Sequence, residues 1–447
     1  MMNWKNLMSS ARIGDRKENK NANPLRSDFE IDYDRIIFSA PFRNLQDKTQ
    51  VFPLPDQDFV HTRLTHSLEV SSVGKSLGKN VGAAVIEKYE ELSYLTPYDF
   101  GAVVGAAALA HDVGNPPFGH SGEQAISDYF LYNTKAQKIK TLVLEQEWND
   151  LIRFEGNAQG FRLLTKNQKQ GLRLTYATLA AFTKYPCSST LLNQDRARKS
   201  QKKYGYFKAE ESAFCKVAEH LGLYPLSQNE NTFARHPLAF LVEAADDICY
   251  SIIDLEDGFG LGLVSFEEAR DFLAEILGES YYPEKLENIA SDKEKIGVLR
   301  AVAINTLIHQ TSEVFMKHEE EILSGNFDRA LTDLIPSAST LEKLSSFSVK
   351  RIYQSRQVLE KEAAGFEVID ALLESFMEAV FCKFYNKENY SGRHKSVYRL
   401  LPAEVQFKLD WAKSPYESAL EITDYISGMT DSSAVKQFRI MKGISLA

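Results

Sequence analysis

The sequence predicts an all-α protein. Apolar residues recur at helical spacing in most windows, and period-two alternation is rare. The 14 prolines and 24 glycines are few for 447 residues, so long helices go uninterrupted. At most a minor strand or hairpin is expected, around 50–53 or 204–208. There is no internal repeat and no low-complexity tract.

Taken in order, residues 1–30 read as a flexible polar arm carrying Lys5, Arg12, Arg16, Lys17 and Lys20. It has no apolar stretch of the kind a secretion signal needs. A turn-rich piece, Val51-Phe-Pro-Leu-Pro-Asp56, leads into a helix from 62 to about 78. Leu64 and Leu68 are expected on its core face, bringing His66 near that face. Residues 99–111 are an Ala/Gly/Val helix able to pack very closely on a neighbour. Gly114, Pro116 and Pro117 stop it, and another helix follows over 120–132. From 139 to 235 helices mix with polar loops, and the basic run Arg196-Ala-Arg-Lys-Ser-Gln-Lys-Lys203 reads as a solvated loop. A strong apolar helix covers 237–257 and ends at Gly258. Beyond 265 helix follows helix, most clearly over 358–384. The expected organisation is the arm, a core over 31–265 with an insertion at about 135–235, and a helical region over 266–447.

Composition narrows the functional classes. Hydrophobic residues make up 44% and charged residues 25%, ordinary for a globular protein. A net charge of −9 disfavours a nucleic-acid coat but leaves room for a basic pocket that takes a small polyanion. Cys187, Cys215, Cys249 and Cys382 lack CxxC spacing and read as reduced thiols. Nothing approaches the roughly 20 apolar residues of a membrane span, and the cytoplasm is the expected compartment.

The chemistry concentrates in Ala108-Leu-Ala-His111-Asp112-Val-Gly-Asn115-Pro-Pro-Phe-Gly-His120-Ser-Gly-Glu123. Adjacent His111 and Asp112 can both donate to one metal ion. His66 stands on an earlier helix. Asp246, Tyr250 and Asp254 fall at i, i+4 and i+8 of an otherwise apolar helix. Carboxylates there are costly to bury without a partner, and a divalent cation suffices as one. Each of these residues alone has an ordinary packing explanation; together, on separate apolar helices, they point to a metal site. Two imidazoles and two carboxylates suit Mg²⁺ or Mn²⁺, with Fe²⁺, Co²⁺ and Zn²⁺ also compatible.

His120 and Glu123 share one helix face at i, i+3, and a Glu there raises an imidazole's pKa and favours a general acid. Basic candidates for phosphate are Arg43, Lys48, Arg63, Lys184, Lys350 and Arg351. Arg63 is the best placed, one turn before His66. Tyr185 and Tyr250 offer hydroxyls. No GxxxxGK[ST] loop is present, which argues against P-loop cleavage at a γ-phosphate.

With these residues in view the chain resembles the HD-domain phosphohydrolases, whose signature is H…HD…D, and within them the dGTPase branch of the dNTP triphosphohydrolases. The segments that carry the resemblance run in order from about 25 to 260. They are Asp34-Arg-Ile-Ile-Phe-Ser-Ala-Pro-Phe-Arg43, with its continuation through Gln50-Val-Phe; His61-Thr-Arg-Leu-Thr-His66; His111 through Glu123; Phe154-Glu-Gly-Asn157; Thr178 through Pro186; and Glu243-Ala-Ala-Asp-Asp-Ile. Ser348-Val-Lys350-Arg351-Ile-Tyr353 and Glu362-Ala-Ala-Gly365 resemble the family's later helices. One departure is Asn44, where the family often has a second Arg; a contact near the entrance is expected to change. The resemblance implies that His66, His111, Asp112 and Asp246 hold the metal and that His120 and Glu123 are the catalytic pair. It places Gln50 and Val51 near sugar and base, Tyr250 and Asp254 near the sugar 3′-hydroxyl, and Asn115, Arg63, Lys184, Tyr185 and Arg351 along the phosphates. It implies dGTP as substrate, hydrolysed to deoxyguanosine and tripolyphosphate. It also implies a homo-oligomer, for which a hexamer is expected, and single-stranded DNA or nucleotides as candidate effectors.

Overall fold

The structure is a computed structural model, and it describes residues 1–13, 26–50, 61–166, 172–190, 198–227, 231–354 and 356–444. Among them the regular elements are all helical, and extended segments meet only in isolated bridges such as Thr49 with Thr62 and Ser188 with Tyr206. The all-α expectation holds, without a hairpin at 204–208; residues 51–53 lie outside the described part.

Helices Arg63–Lys88 and Pro97–Ala110 form the centre. They run antiparallel because a short connection joins them, and they touch backbone to backbone because glycine and alanine line their seam. A Cβ on Gly78 would lie 2.8 Å from the Phe100 carbonyl oxygen and 2.9 Å from Gly101 Cα. The Ser71 hydroxyl donates to the Gly105 carbonyl at 2.7 Å and pins the register. Continued along both helices, that register sets His66 opposite His111, with ring centroids 5.3 Å apart. The reason expected for His66's position needs correction: Leu68 is 40% exposed, and the buried stripe runs through His66, Val70, Val73 and Leu77.

Helix Pro237–Gly260 crosses this pair, and Asp28–Ile37 covers the outer side of Pro97–Ala110. Residues 1–13 are not an arm. Met2, Trp4, Leu7, Met8 and Ile13 are buried, and the Trp4 indole packs 5.5 Å from Phe100 and donates to Glu319 at 2.8 Å. Arg12 closes a buried ion pair with Asp32 at 2.5 Å. The scattered apolar residues of this segment show no periodicity in the sequence, and its lysines and arginines look like those of a solvated arm. The rest of the proposed arm lies largely outside the described residues.

A second apolar cluster gathers Phe118, Ile126, Phe130 and Trp148 with Leu372, Phe376, Leu420 and Ile426. Helix Arg356–Phe384 is its spine, packing on Gly119–Tyr132, Pro415–Ser427 and Asp431–Met441. The two clusters cut across the 265/266 boundary, since residues up to Leu344 belong to the first and residues from Phe118 onward enter the second. A buried polar seam joins them. Arg162 binds Glu210 at 2.6 Å and Asp424 at 2.9 Å, and Lys166 binds Glu421 at 2.6 Å. No helix among the described residues is long and apolar enough to cross a membrane.

Gly78→Ala should force the central helices apart, because the atoms that the new methyl meets are backbone. A loss of about 1–3 kcal/mol is expected for such overpacking, read as a lower urea midpoint with unchanged slope. An unaltered midpoint would show that the seam relaxes freely.

Candidate metal centre and active-site cavity

A cavity of about 540 Å³ opens between the two clusters. At its floor the register described above brings together His66, His111 and Asp112, whose ligand atoms all lie within 4.8 Å of one another. Asp246 reaches in from helix Pro237–Gly260, its Oδ1 3.1 Å from His66 Nε2 and 3.5 Å from His111 Nε2. The His111 Nδ1 lies 2.7 Å from the Ala108 carbonyl. With the proton on Nδ1, that bond leaves the Nε2 lone pair facing Asp246.

Charge balance favours a cation here. Burial alone would push both carboxyls up. Arg63, 2.8 Å from Asp112, and then His111 hold the Asp112 carboxyl below its ordinary range. His111 and the hydrogen bond with His66 hold Asp246 well below it. Both carboxyls are therefore ionised and able to serve as ligands. The second oxygen of Asp112 is buried with no hydrogen-bond partner. An orphaned anionic oxygen beside two imidazoles fits a divalent ion.

His120 and Glu123 stand on the wall above. His120 Nδ1 lies 2.8 Å from Glu123 Oε2, and the other Glu123 oxygen accepts the Gly156 N–H at 2.8 Å. The imidazole is solvent-reached while Glu123 is buried. The hydrogen bond and charge of Glu123 raise the His120 pKa above that of a free imidazole. Burial works against the charge on Glu123, but His120, Lys203 and the Gly156 N–H keep it ionised.

The remaining expected residues divide. Gln50, Arg63, Asn115, Lys184, Tyr185 and Tyr250 all line the cavity. Lys184 is not a free cation, since its ammonium lies 3.3 Å from buried Glu243. Glu243 also pairs with Arg235 at 2.7 Å, and these cations outweigh its burial and draw its carboxyl down to about 2. Asp254 sits behind the wall, accepting a hydrogen bond from the Tyr353 hydroxyl; burial pushes its carboxyl up to about 7. Tyr353 itself lines the cavity, its ring stacked at 16° on Tyr250 with centroids 5.8 Å apart.

Arg351 stands apart. It is exposed, pairs with Glu268 at 3.1 Å and does not line the cavity. The single π-helical turn Val349–Tyr353 turns Tyr353 inward. Lys48 is also not a phosphate contact, as its buried ammonium is spent on the Asn115 and Ser427 carbonyls, each at 2.6 Å. Arg43 and Lys350 are exposed. Val51 lies outside the described residues.

The basic run was read as a solvated loop, and its described half is not one. Arg198 pairs with Asp328 at 3.1 Å, and Lys203 lines the cavity 3.1 Å from Glu155. Its partners are carboxylates far away in sequence, so nothing local signalled the fold. Phe118, Asn157, Val358 and Glu362 also line the cavity without having been singled out as contacts. Asn157 and Glu362 lay in segments quoted for the resemblance, the only signal that pointed to them.

Floor, wall and cations together define a metal-dependent phosphohydrolase of the HD class, and the HD domain family matches residues 63–147, with a phosphohydrolase-associated domain matching 336–440. Full-length relatives narrow this. A deoxyguanosinetriphosphate triphosphohydrolase-like protein of Synechocystis is 42% identical with all of both chains covered, and one of Pseudomonas aeruginosa is 35% identical over 99% of each. A deoxyguanosinetriphosphate triphosphohydrolase of Salmonella arizonae is 31% identical over 93% of this chain and 94% of its own. The chain belongs to the deoxyguanosinetriphosphate triphosphohydrolase family.

Glu123→Gln removes the charge that raises the His120 pKa. The imidazole should then titrate lower, near its ordinary value of about 6.5, as followed by NMR. An unmoved midpoint would mean that Glu123 does not set it.

Proposed function

We propose that the protein hydrolyses dGTP to deoxyguanosine and tripolyphosphate in one step, with water attacking the α-phosphorus. The observation that carries this reading is that His111, Asp112 and Asp246, with His66 behind them, and the hydrogen-bonded pair His120 and Glu123 border one cavity that is also lined by Arg63, Lys184 and Lys203. The names of the relatives supply the nucleotide.

His66, His111, Asp112 and Asp246 would hold a divalent cation, Mg²⁺ or Mn²⁺ by choice, which would supply Lewis acidity toward the α-phosphate and its attacking water. Protonated His120, the form that Glu123 favours, gives its proton to the departing 5′-oxygen as the bond from the α-phosphorus breaks. Arg63, Asn115, Lys184, Lys203 and Tyr185 face the triphosphate and hold the charge that develops on it. Gln50, on the cavity wall, approaches the sugar and base. Asp254 orients the stacked Tyr353 and Tyr250, and the Tyr250 ring leaves no room for a ribose 2′-hydroxyl. The cellular setting that this implies is control of the nucleotide pool in the cytoplasm, by a homo-oligomer.

Incubating the protein with each dNTP and Mg²⁺ or Mn²⁺ tests the reading. Deoxyguanosine and tripolyphosphate from dGTP are the expected products, and His111→Ala should lower the rate at least about a hundredfold. Release of orthophosphate or pyrophosphate would refute it, and equal rates on all four dNTPs would replace dGTP by dNTPs in general. Tyr250→Ala should raise the rate on GTP relative to dGTP by about tenfold, measured as the ratio of kcat/KM; an unchanged ratio would place sugar discrimination elsewhere.

A further inference from the structure

Asp431 opens the last helix, Asp431–Met441, far from the catalytic segment in sequence, yet its carboxylate is 1% exposed beside the cavity. One oxygen accepts the Phe118 N–H at 3.0 Å. The other accepts the Thr49 N–H at 3.1 Å and the Thr49 hydroxyl. Phe118 and Thr49 both line the cavity, so a single carboxylate ties two of its walls together. Neighbouring contacts reinforce the junction: Lys48 bridges the Asn115 and Ser427 carbonyls, and Asn44 donates to the Gly428 carbonyl at 3.0 Å. The departure at Asn44 therefore belongs to this junction.

Phe118 is the sensitive point. It holds a left-handed backbone, φ 62°, immediately before helix Gly119–Tyr132. A bulky residue adopts that conformation only where its surroundings impose it. Two restraints do so. The backbone N–H is held by Asp431. The ring is buried against helix Arg356–Phe384, where a Cβ on Gly365 would lie 2.8 Å from Phe118 Cγ. His120 is the second residue of the helix that Phe118 starts, so the backbone at 118 sets where the first turn begins and whether His120 meets Glu123.

We propose that Asp431 is a positioning residue for the catalytic pair: by holding Phe118 left-handed from the far end of the chain, it fixes the helix turn that puts His120 on Glu123. The proposal deepens the reading of His120 as the general acid and rests on it for its catalytic consequence. Asparagine at 431 keeps the volume but has one accepting oxygen for two walls, and its NH₂ opposes an N–H. Phe118 then relaxes and the first turn frays.

The test is Asp431→Asn in the full chain, reading the His120 imidazole by NMR titration beside kcat and the melting curve. Glu123, Lys203 and Arg63 are the charges that act on that imidazole, and all three remain in the variant. The His120 midpoint should fall by about half a pH unit or more toward free histidine, and kcat by about tenfold. An unmoved midpoint in the folded variant overturns the proposal, whatever the rate. Should Asp431→Asn fail to fold, Gly365→Ala displaces the Phe118 ring without breaking a hydrogen bond, and the same midpoint decides. His120→Ala separates the two readings, because full activity there removes the acid role, whereas the midpoint shift in Asp431→Asn stands without it.

Discussion

Everything at the metal centre depends on how closely two helix backbones approach. Gly74, Gly78 and Gly82 face Val104, Gly101 and Phe100 across this seam: a Cβ on Gly78 would meet main chain, and one on Gly74 or Gly82 would meet the side chain of Val104 or Phe100. Glycine is a poor helix former, so these positions cost local stability. What they provide is a fixed register with no soft layer to absorb error. A slip of one residue would swing His66 about 100° around its helix, away from His111. The candidate ligand set thus inherits its precision from close van der Waals contact between the two helices.

A second theme is the compensation of buried charge. Isolated, each buried carboxylate around the cavity would take up a proton. Glu243 does not, because Arg235 and Lys184 surround it; Asp112 does not, because Arg63 stands beside it. Asp254, with only hydroxyl and distant cationic support, is pushed up to about 7. One helix thereby carries acids of opposite tendency a few residues apart, with Glu243 and Asp246 held ionised at the cavity and the Asp254 carboxyl pushed up behind its wall.

Much of this was legible in the sequence, and for physical reasons. Long helices showed because their apolar period is strong, and the 97–110 helix announced close packing by its small residues. The His-Asp pair and the acid/base pair were legible because chain neighbours stay neighbours in space. The ion pairs of Lys203 and Arg198 were not, because their partners come from distant segments and a charge run looks the same whether solvated or neutralised. The position of Arg351 rested on resemblance alone, and the turn Val349–Tyr353 presents Tyr353 rather than Arg351 to the cavity. The burial of Trp4 was missed because a four-residue helix is too short to show a face.

The interleaving of the two apolar clusters has a consequence for how the molecule comes into being. The segment carrying His120 is made early, but the spine on which it packs, Arg356–Phe384, and the Asp431 carboxylate that holds Phe118 are made much later. Thr49 and Asp431 are 382 residues apart along the chain, and Phe118 and Asp431 are 313 apart. Closing such loops is slow, and the half-made cluster leaves Phe130 and Trp148 without their cover. During synthesis the chain therefore passes through an interval in which the first cluster can assemble while Phe130 and Trp148 wait with apolar surface exposed, so chaperone demand is expected to last until the helices around Asp431 have emerged.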